Sequence, residues 1–374
     1  MSSKAERDRR VRRVREEMVA GGHEVLLVIG RDGIWNRGYI TYLTDWPMWG
    51  GLAYLIFPLE GRPTLVLGSH SMAYWARSVG WVEDVRVSIP SLVPETLNVL
   101  RSHGVKRQLG VAGMSRLLSY GDYQILTSGL PGVEFVDASE VLERVRAIKS
   151  PEEIHALTET CQIAAEAMAR FRDVLAPGKT EREVVSEAWK VLREHGCLDG
   201  VAHIGQHDPP FIRPASERQI ERNDIIKFSM EVAGPSGYCE ELAAVFSFQA
   251  PPVEQLEVFN TVVKAVRVAR LMLQPGVKSG DLVEAVEAAY IEDGWAPLHR
   301  VSWDAHGIGL DIIEPPILVK GGDVELEEGM AISLHPGLTY GERRLGFYLQ
   351  DNHIVSLGGG RPLAGWPDIW TVLD

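Results

Sequence analysis

Residues 150–196 read SPEEIHALTETCQIAAEAMARFRDVLAPGKTEREVVSEAWKVLREHG, and the order of start and stop signals in them sets the architecture. Ser150 is an N-cap, Pro151 suits the first helical position, and Glu153 completes a capping box. Ile154, Leu157, Cys161, Ala164 and Met168 then recur on one helical face, which carries the helix to about Leu175. Pro177 and Gly178 stop it. Thr180 and Glu183 form a second capping box, and that helix runs to Gly196.

The same punctuation returns downstream. A helix is predicted over 252–273, ending at Pro275 and Gly276, and Ser279 is expected to cap another that ends at Gly294. Strand-like segments follow each helix pair, at 225–232 and 238–248, then at 330–334 and 346–355. Two such units imply an internal duplication. Helix pairs backing a curved, mainly antiparallel sheet make an α+β layer architecture.

Upstream, residues 5–20 are an amphipathic helix with Val11, Val14, Met18 and Val19 among arginines. EVLLVIG (24–30) is a buried strand, 42–44 and 52–57 continue in that style, and PLEG (58–61) turns into PTLVLG (63–68) as a hairpin. Helices are predicted over 69–79, 95–103 and 139–147, and strands over 109–112 and 133–136. The expected division is an α/β N-terminal domain, 1–145, and a C-terminal domain, 146–374.

The chain has 374 residues, 45% hydrophobic and 24% charged, with a formal charge of −13. That is ample for a large core and lacks the basic footprint that nucleic acid or an anionic membrane requires. No apolar run reaches the ~18 residues of a membrane-crossing helix, and the charged N-terminus lacks the apolar stretch of a secretory signal. Cys161, Cys197 and Cys239 form no CxxC pair, which argues against a disulfide framework or thiolate zinc site and fits the cytoplasm.

Five segments, in order, resemble the creatinase, aminopeptidase P and prolidase family, whose C-terminal domain is the pita-bread fold. They are RAIKSPEE (146–153), GYCEE (237–241), QPG (274–276), DAHGIGLDIIEPP (304–316) and EGMAISLHPG (328–337). The resemblance implies a creatinase-like N-terminal domain and a homodimer in which that domain covers the partner's cavity. Trp35, Tyr39, Tyr42, Trp46 and Trp49 crowd one stretch there, and Trp35 and Trp46 are candidate substrate-binding residues of such a cover. Core packing is the competing reading.

In the family's metallopeptidases two Asp, one His and two Glu hold two metal ions. Here the first Asp position falls on Met230, or on Glu231 if the loop slips by one, and the second is Glu241. The His is kept as His306, the first Glu becomes His335 and the second becomes Gln350. Met offers no hard oxygen and neutral Gln is a poor bridge, so a divergent member lacking most metal ligands is expected. If an ion is present, Glu231, Glu241, His306 and His335 could hold a single Zn, Mn or Fe. The creatinase branch works without metal, and its loop His aligns with Ile212 here.

The candidate catalytic residues are His306, His335, Glu241 and Glu231. His306 stands in a Gly-rich stretch and could polarise a carbonyl or carry a proton. Two facing imidazoles cannot both be charged cheaply, so one should be neutral. Glu240 and Glu241 point to opposite faces of a strand, and the motif register assigns the cavity to Glu241. Arg213 could clamp a substrate carboxylate, Tyr348 could donate to developing negative charge, and Gln350 and Asp351 could contact substrate or orient a His. His203, His207 and Asp208 share the loop region with Arg213 and suit ordinary loop roles.

The leading expectation is a cytoplasmic, metal-independent hydrolase without a cofactor. It would cleave a C–N bond of amide, amidine or cyclic amidine type in a small non-peptide molecule. The alternatives are a Xaa-Pro-type metallopeptidase with an altered mononuclear site, a non-catalytic pita-bread binding protein, or a lyase using the same acid and base.

Overall fold

The computed structural model describes residues 2–205, 212–295, 304–340 and 345–374. The chain divides into two compact units between Arg146 and Ala147.

The first unit begins with α1 (Lys4–Ala20), β1 (Val25–Arg31), α2 (Gly38–Thr44), β2 (Leu52–Pro58) and β3 (Thr64–Leu67). It continues through α3 (His70–Val79), β4 (Asp84–Val87), α4 (Val93–Ser102), β5 (Gln108–Ala112), α5 (Tyr120–Gly129), β6 (Glu134–Asp137) and α6 (Ser139–Ala147). Its mixed sheet runs β4-β3-β2-β1-β5-β6. The hairpin expected over 52–68 is antiparallel β2–β3. Residues 42–44, expected as strand, close helix α2 instead. Its β-branched and aromatic residues favour strands only as a half-buried surface, whereas here they pack into the core as a helix. Asp45 ends it in the left-handed conformation with its N–H on the Thr41 carbonyl.

The second unit opens with α7 (Pro151–Val174) and α8 (Glu181–Glu194). Both capping boxes are reciprocal: Ser150 with Glu153, and Thr180 with Glu183. Strands β7 (Asp199–Gly205), β8 (Arg213–Pro214), β9 (Ile225–Ala233) and β10 (Cys239–Ser247) follow. Then come α9 (Val253–Met272) and α10 (Ser279–Glu292). Ser279 is the first helical residue rather than the cap: Lys278 stands at the cap position without a side-chain cap bond, and the Ser279 N–H donates to the Val324 carbonyl at 2.8 Å. The remaining strands are β11 (Ala305–Gly307), β12 (Glu314–Leu318), β13 (Ala331–Leu334), β14 (Gly337–Tyr340), β15 (Leu345–Tyr348), β16 (Asp351–Ile354), β17 (Arg361–Pro362) and β18 (Trp370–Val372).

One sheet is ordered β18-β10-β9-β7-β8, a second β12-β11-β13-β16-β17, and β14 pairs with β15. Helices α7 and α8 bury Leu192, Phe171 and Met168 against Phe228, Met230 and Leu242. Helices α9 and α10 bury Val262, Leu282 and Tyr290 against Ile332, Leu334 and Phe347. Each helix pair thus backs its own sheet, and the opposite sheet faces carry the polar residues.

Candidate metal centre

Register places the acids. In the antiparallel pair β9–β10, Glu231 lies opposite Glu241 and Met230 opposite Leu242. Directly opposed residues share a face, so Glu231 and Glu241 stand together while Met230 faces the α7–α8 core. The alternatives at this position therefore resolve to Glu231 on the cavity side. Glu240, one residue from Glu241, is turned to the reverse face, where the Cys161 thiol donates to it at 2.8 Å.

His306 is the central residue of β11, and β11 pairs with β13. Gly307 must be glycine for close approach: a Cβ there would lie 2.5 Å from the Pro315 carbonyl oxygen. His306 donates from Nδ1 to the Gly307 carbonyl at 2.9 Å, which leaves Nε2 as an acceptor 3.6 Å from Glu241 Oε1. The His335 ring is centred 4.9 Å from that of His306. One ligand atom from each of Glu241, His306 and His335 lies within 4.8 Å of the others, the one such group among the described residues.

Glu241 is oriented by two neighbours. Ser333 Oγ donates to Oε2 at 2.6 Å, and Gln350 Nε2 approaches the same oxygen at 3.4 Å. Gln350 in turn accepts from Ser229 Oγ at 2.9 Å. Tyr348 is buried, and burial pushes its phenol well up, with the charges of Glu231 and Glu241 adding to the effect. Ser333 escaped the sequence reading. Its signal was a hydroxyl inside a strand that is buried throughout, where only a polar partner makes it affordable.

Burial sets the protonation of the group. It raises Glu241 to about 7 against the opposing Ser333 bond. It raises Glu231 to about 7 as well, helped by Glu241 and opposed by His306. Burial lowers His306, and it lowers His335 further, with His306 adding to the effect. Both imidazoles are therefore neutral near pH 7, as a metal ligand must be.

The donor set fits one cation. Among the described residues His335 Nε2 is buried with no hydrogen-bond partner, an available lone pair beside a carboxylate and a second imidazole. Two His and one Glu are a familiar catalytic zinc set, and also suit non-haem iron. A second ion does not fit: Met230 faces away, and the Gln350 amide is engaged with Ser229 and Glu241.

Glu231, the fourth expected ligand, shares the cavity face but is not one of the three residues whose ligand atoms converge. Other expected site residues do not join the group either. Arg213 spends its guanidinium fork on both oxygens of buried Glu181, at 2.7 and 2.8 Å, so it is a structural clamp. Asp351 lies on the side of Glu240, where it accepts from the Ala364 N–H at 3.3 Å and feels Asp368 and Arg270. Trp46 is fully buried and packs edge-to-face on Trp75 at 6.1 Å, so it is core rather than cover. Trp35 is 40% exposed. His207 and Asp208 lie outside the described residues.

Residues 155–357 match the model of metallopeptidase family M24, and residues 10–148 match the creatinase/prolidase N-terminal domain. The probable dipeptidase PepE of Mycobacterium tuberculosis is 30% identical over 242 residues, covering 63% of each chain. The Xaa-Pro dipeptidase of Pyrococcus horikoshii is 26% identical over 256 residues, or 67% of this chain and 72% of that protein. The solved structure of the Xaa-Pro dipeptidase from Bacillus anthracis superposes with a TM-score of 0.83 at 22% identity, covering 98% of this chain and all of that one.

These peptidase relatives overturn the expectation of a metal-independent hydrolase acting on a non-peptide, and they favour the metallopeptidase alternative. With both domains matched and the pita-bread architecture in place, the chain belongs to metallopeptidase family M24 and is a hydrolase of the creatinase and aminopeptidase P type.

Proposed function

We propose that this protein is a peptidase of short peptides, of the Xaa-Pro dipeptidase type, working with a single divalent ion held by Glu241, His306 and His335. The observation that carries the reading is the convergence of those three ligand atoms within 4.8 Å on strands β10 and β11 and the end of β13. Such an ion supplies Lewis-acid polarisation of a scissile carbonyl.

The chain's own residues supply the rest. Ser333 and Gln350 hold Glu241 in one orientation, as outer partners of a ligand do. Glu231, with a carboxyl near 7, exchanges a proton at neutral pH and can take one from water and return it to the leaving nitrogen. Tyr348, neutral and buried beside the acids, offers a phenolic donor to negative charge developing on the carbonyl oxygen.

The same reading has a cytoplasmic homodimer. Three free cysteines support a reducing compartment, and the exposed indoles of Trp35 and Trp49 offer surface to a second copy. Light scattering on the purified protein tests the dimer.

The deciding experiment is metal analysis of protein purified without chelators, paired with hydrolysis of alanyl-proline after loading with Zn, Mn, Co or Fe. One bound equivalent and turnover are expected. No bound metal and no turnover with any ion would overturn the assignment.

A further inference from the structure

Strand β7 carries a histidine that the site so far leaves unused. His203 lies directly opposite Ser229 in the β7–β9 pair, and Val201 lies opposite Glu231. Its neighbours Ala202 and Ile204 pack into the α7–α8 core, so alternation turns His203 to the face of Ser229, Glu231 and Glu241. The ring is half-buried, and among the described residues its Nδ1 is buried with no hydrogen-bond partner. A polar atom in that state is explained when a ligand completes it.

The spacing suits a short peptide. His203 is the diagonal neighbour of Glu231, and such side chains sit ~7–8 Å apart at the sheet surface. A peptide extends ~3.3–3.6 Å per residue, so that gap is about two residues long.

The polarity of the floor sets the direction. Along one face, β9 presents Glu231, then Ser229, then Lys227, whose ammonium donates to the Gly346 carbonyl at 3.2 Å and lies 5.8 Å over the Phe347 ring. The acidic end belongs with Glu241 and the basic end with His203, since Lys227 pairs with Gly205, two residues beyond His203. A zwitterionic peptide laid along this gradient puts its carboxylate at the His203 end. Burial holds Lys227 at about 7, and an incoming anion would favour its charged form.

We propose that His203 is a specificity-determining residue that donates a hydrogen bond to the terminal carboxylate of a short peptide whose scissile carbonyl lies at Glu241, His306 and His335. The assignment rests on the peptidase reading and deepens it by naming the substrate end that is recognised.

The test uses the full-length protein and needs no turnover. Calorimetric titration with L-proline and with prolinamide compares wild type, His203→Ala and His203→Gln. Loss of a hydrogen bond to a charged group predicts that His203→Ala weakens L-proline by about 10-fold or more and leaves prolinamide unchanged. His203→Gln keeps an N–H donor and retains most of the affinity. With alanyl-proline the loss falls on KM, with kcat nearly unchanged. The proposal is overturned if His203→Ala binds L-proline as wild type does, if it loses both probes equally, or if wild type binds no L-proline. A wild type that binds L-proline through His203 yet hydrolyses no dipeptide with any metal sinks the peptidase reading and leaves the carboxylate subsite standing.

Discussion

Glu240 and Glu241 are consecutive, both buried, and opposite in consequence. Glu241 meets two imidazoles that bring ring nitrogens towards it and two side-chain donors that fix it. Glu240 meets the Cys161 thiol and the field of Asp351, and burial with that field drives it well above the carboxylate range. Burial alone makes a protonated acid. A site needs several ligand atoms converging from different strands, and among the described residues the Glu241 face of β10 supplies them.

The sharpest way to break this contrast is His335→Ala. It removes the unpaired Nε2, and we expect bound metal to fall from one equivalent to none and dipeptidase activity to fall by more than ~100-fold, beyond what outer partners cost. Elemental analysis and a hydrolysis assay report both. Ser333→Ala leaves the ligands and removes the bond to Glu241; metal affinity should fall by about 10–100-fold, read by competition with a chromogenic chelator.

The reverse face should behave differently. Glu240→Gln mimics the protonated acid, so metal content should be unchanged and kcat/KM within ~3-fold, because no ligand or outer partner is touched. Loss of the metal in that variant would erase the distinction between the two faces. Asp351 adds a pH signature. Its folded value is raised from 3.8 to about 7, so the folded state holds the extra proton between those values. Stability from this group is full below about pH 4 and is lost as pH rises through 7, at up to ~1.4 kcal/mol per pH unit. Urea midpoints should therefore show wild type losing ground to Asp351→Asn between pH 5 and pH 8.

The smallest effect compares the two helix pairs. Helix α8 has a reciprocal capping box, whereas α10 has no side-chain cap. Thr180→Ala should cost about 1 kcal/mol, a Tm shift of ~2–4 °C by calorimetry.

What could be read from the chain alone follows from how local each signal is. The boxes at Ser150 and Thr180 were legible because a cap and its Glu are three residues apart. Alternation separated Glu240 from Glu241, and the register of the GYCEE segment against the family it resembles, not periodicity, pointed to Glu241. The choice between Met230 and Glu231 was not, because it depends on cross-strand register. Arg213 looked free until Glu181, 32 residues earlier, occupied its fork. Asp351 follows Gln350, whose backbone carbonyl accepts from the Ala243 N–H at 3.2 Å in an isolated bridge to β10, and no periodicity of two predicts its direction there. Residues 42–44 misled because strand-forming side chains also fill a buried helix.

The β9–β10 hairpin is closed tightly, with Gly234 N–H on the Tyr238 carbonyl at 2.8 Å and Gly237 N–H on the Gly234 carbonyl at 2.9 Å. Loop length there acts as an address: adding or deleting one residue would rotate β10 by half a pleat and deliver Glu240 to the imidazoles while sending Glu241 towards Cys161. The chemistry of the cavity is thus written in the count of residues in a turn that supplies none of the three ligand atoms.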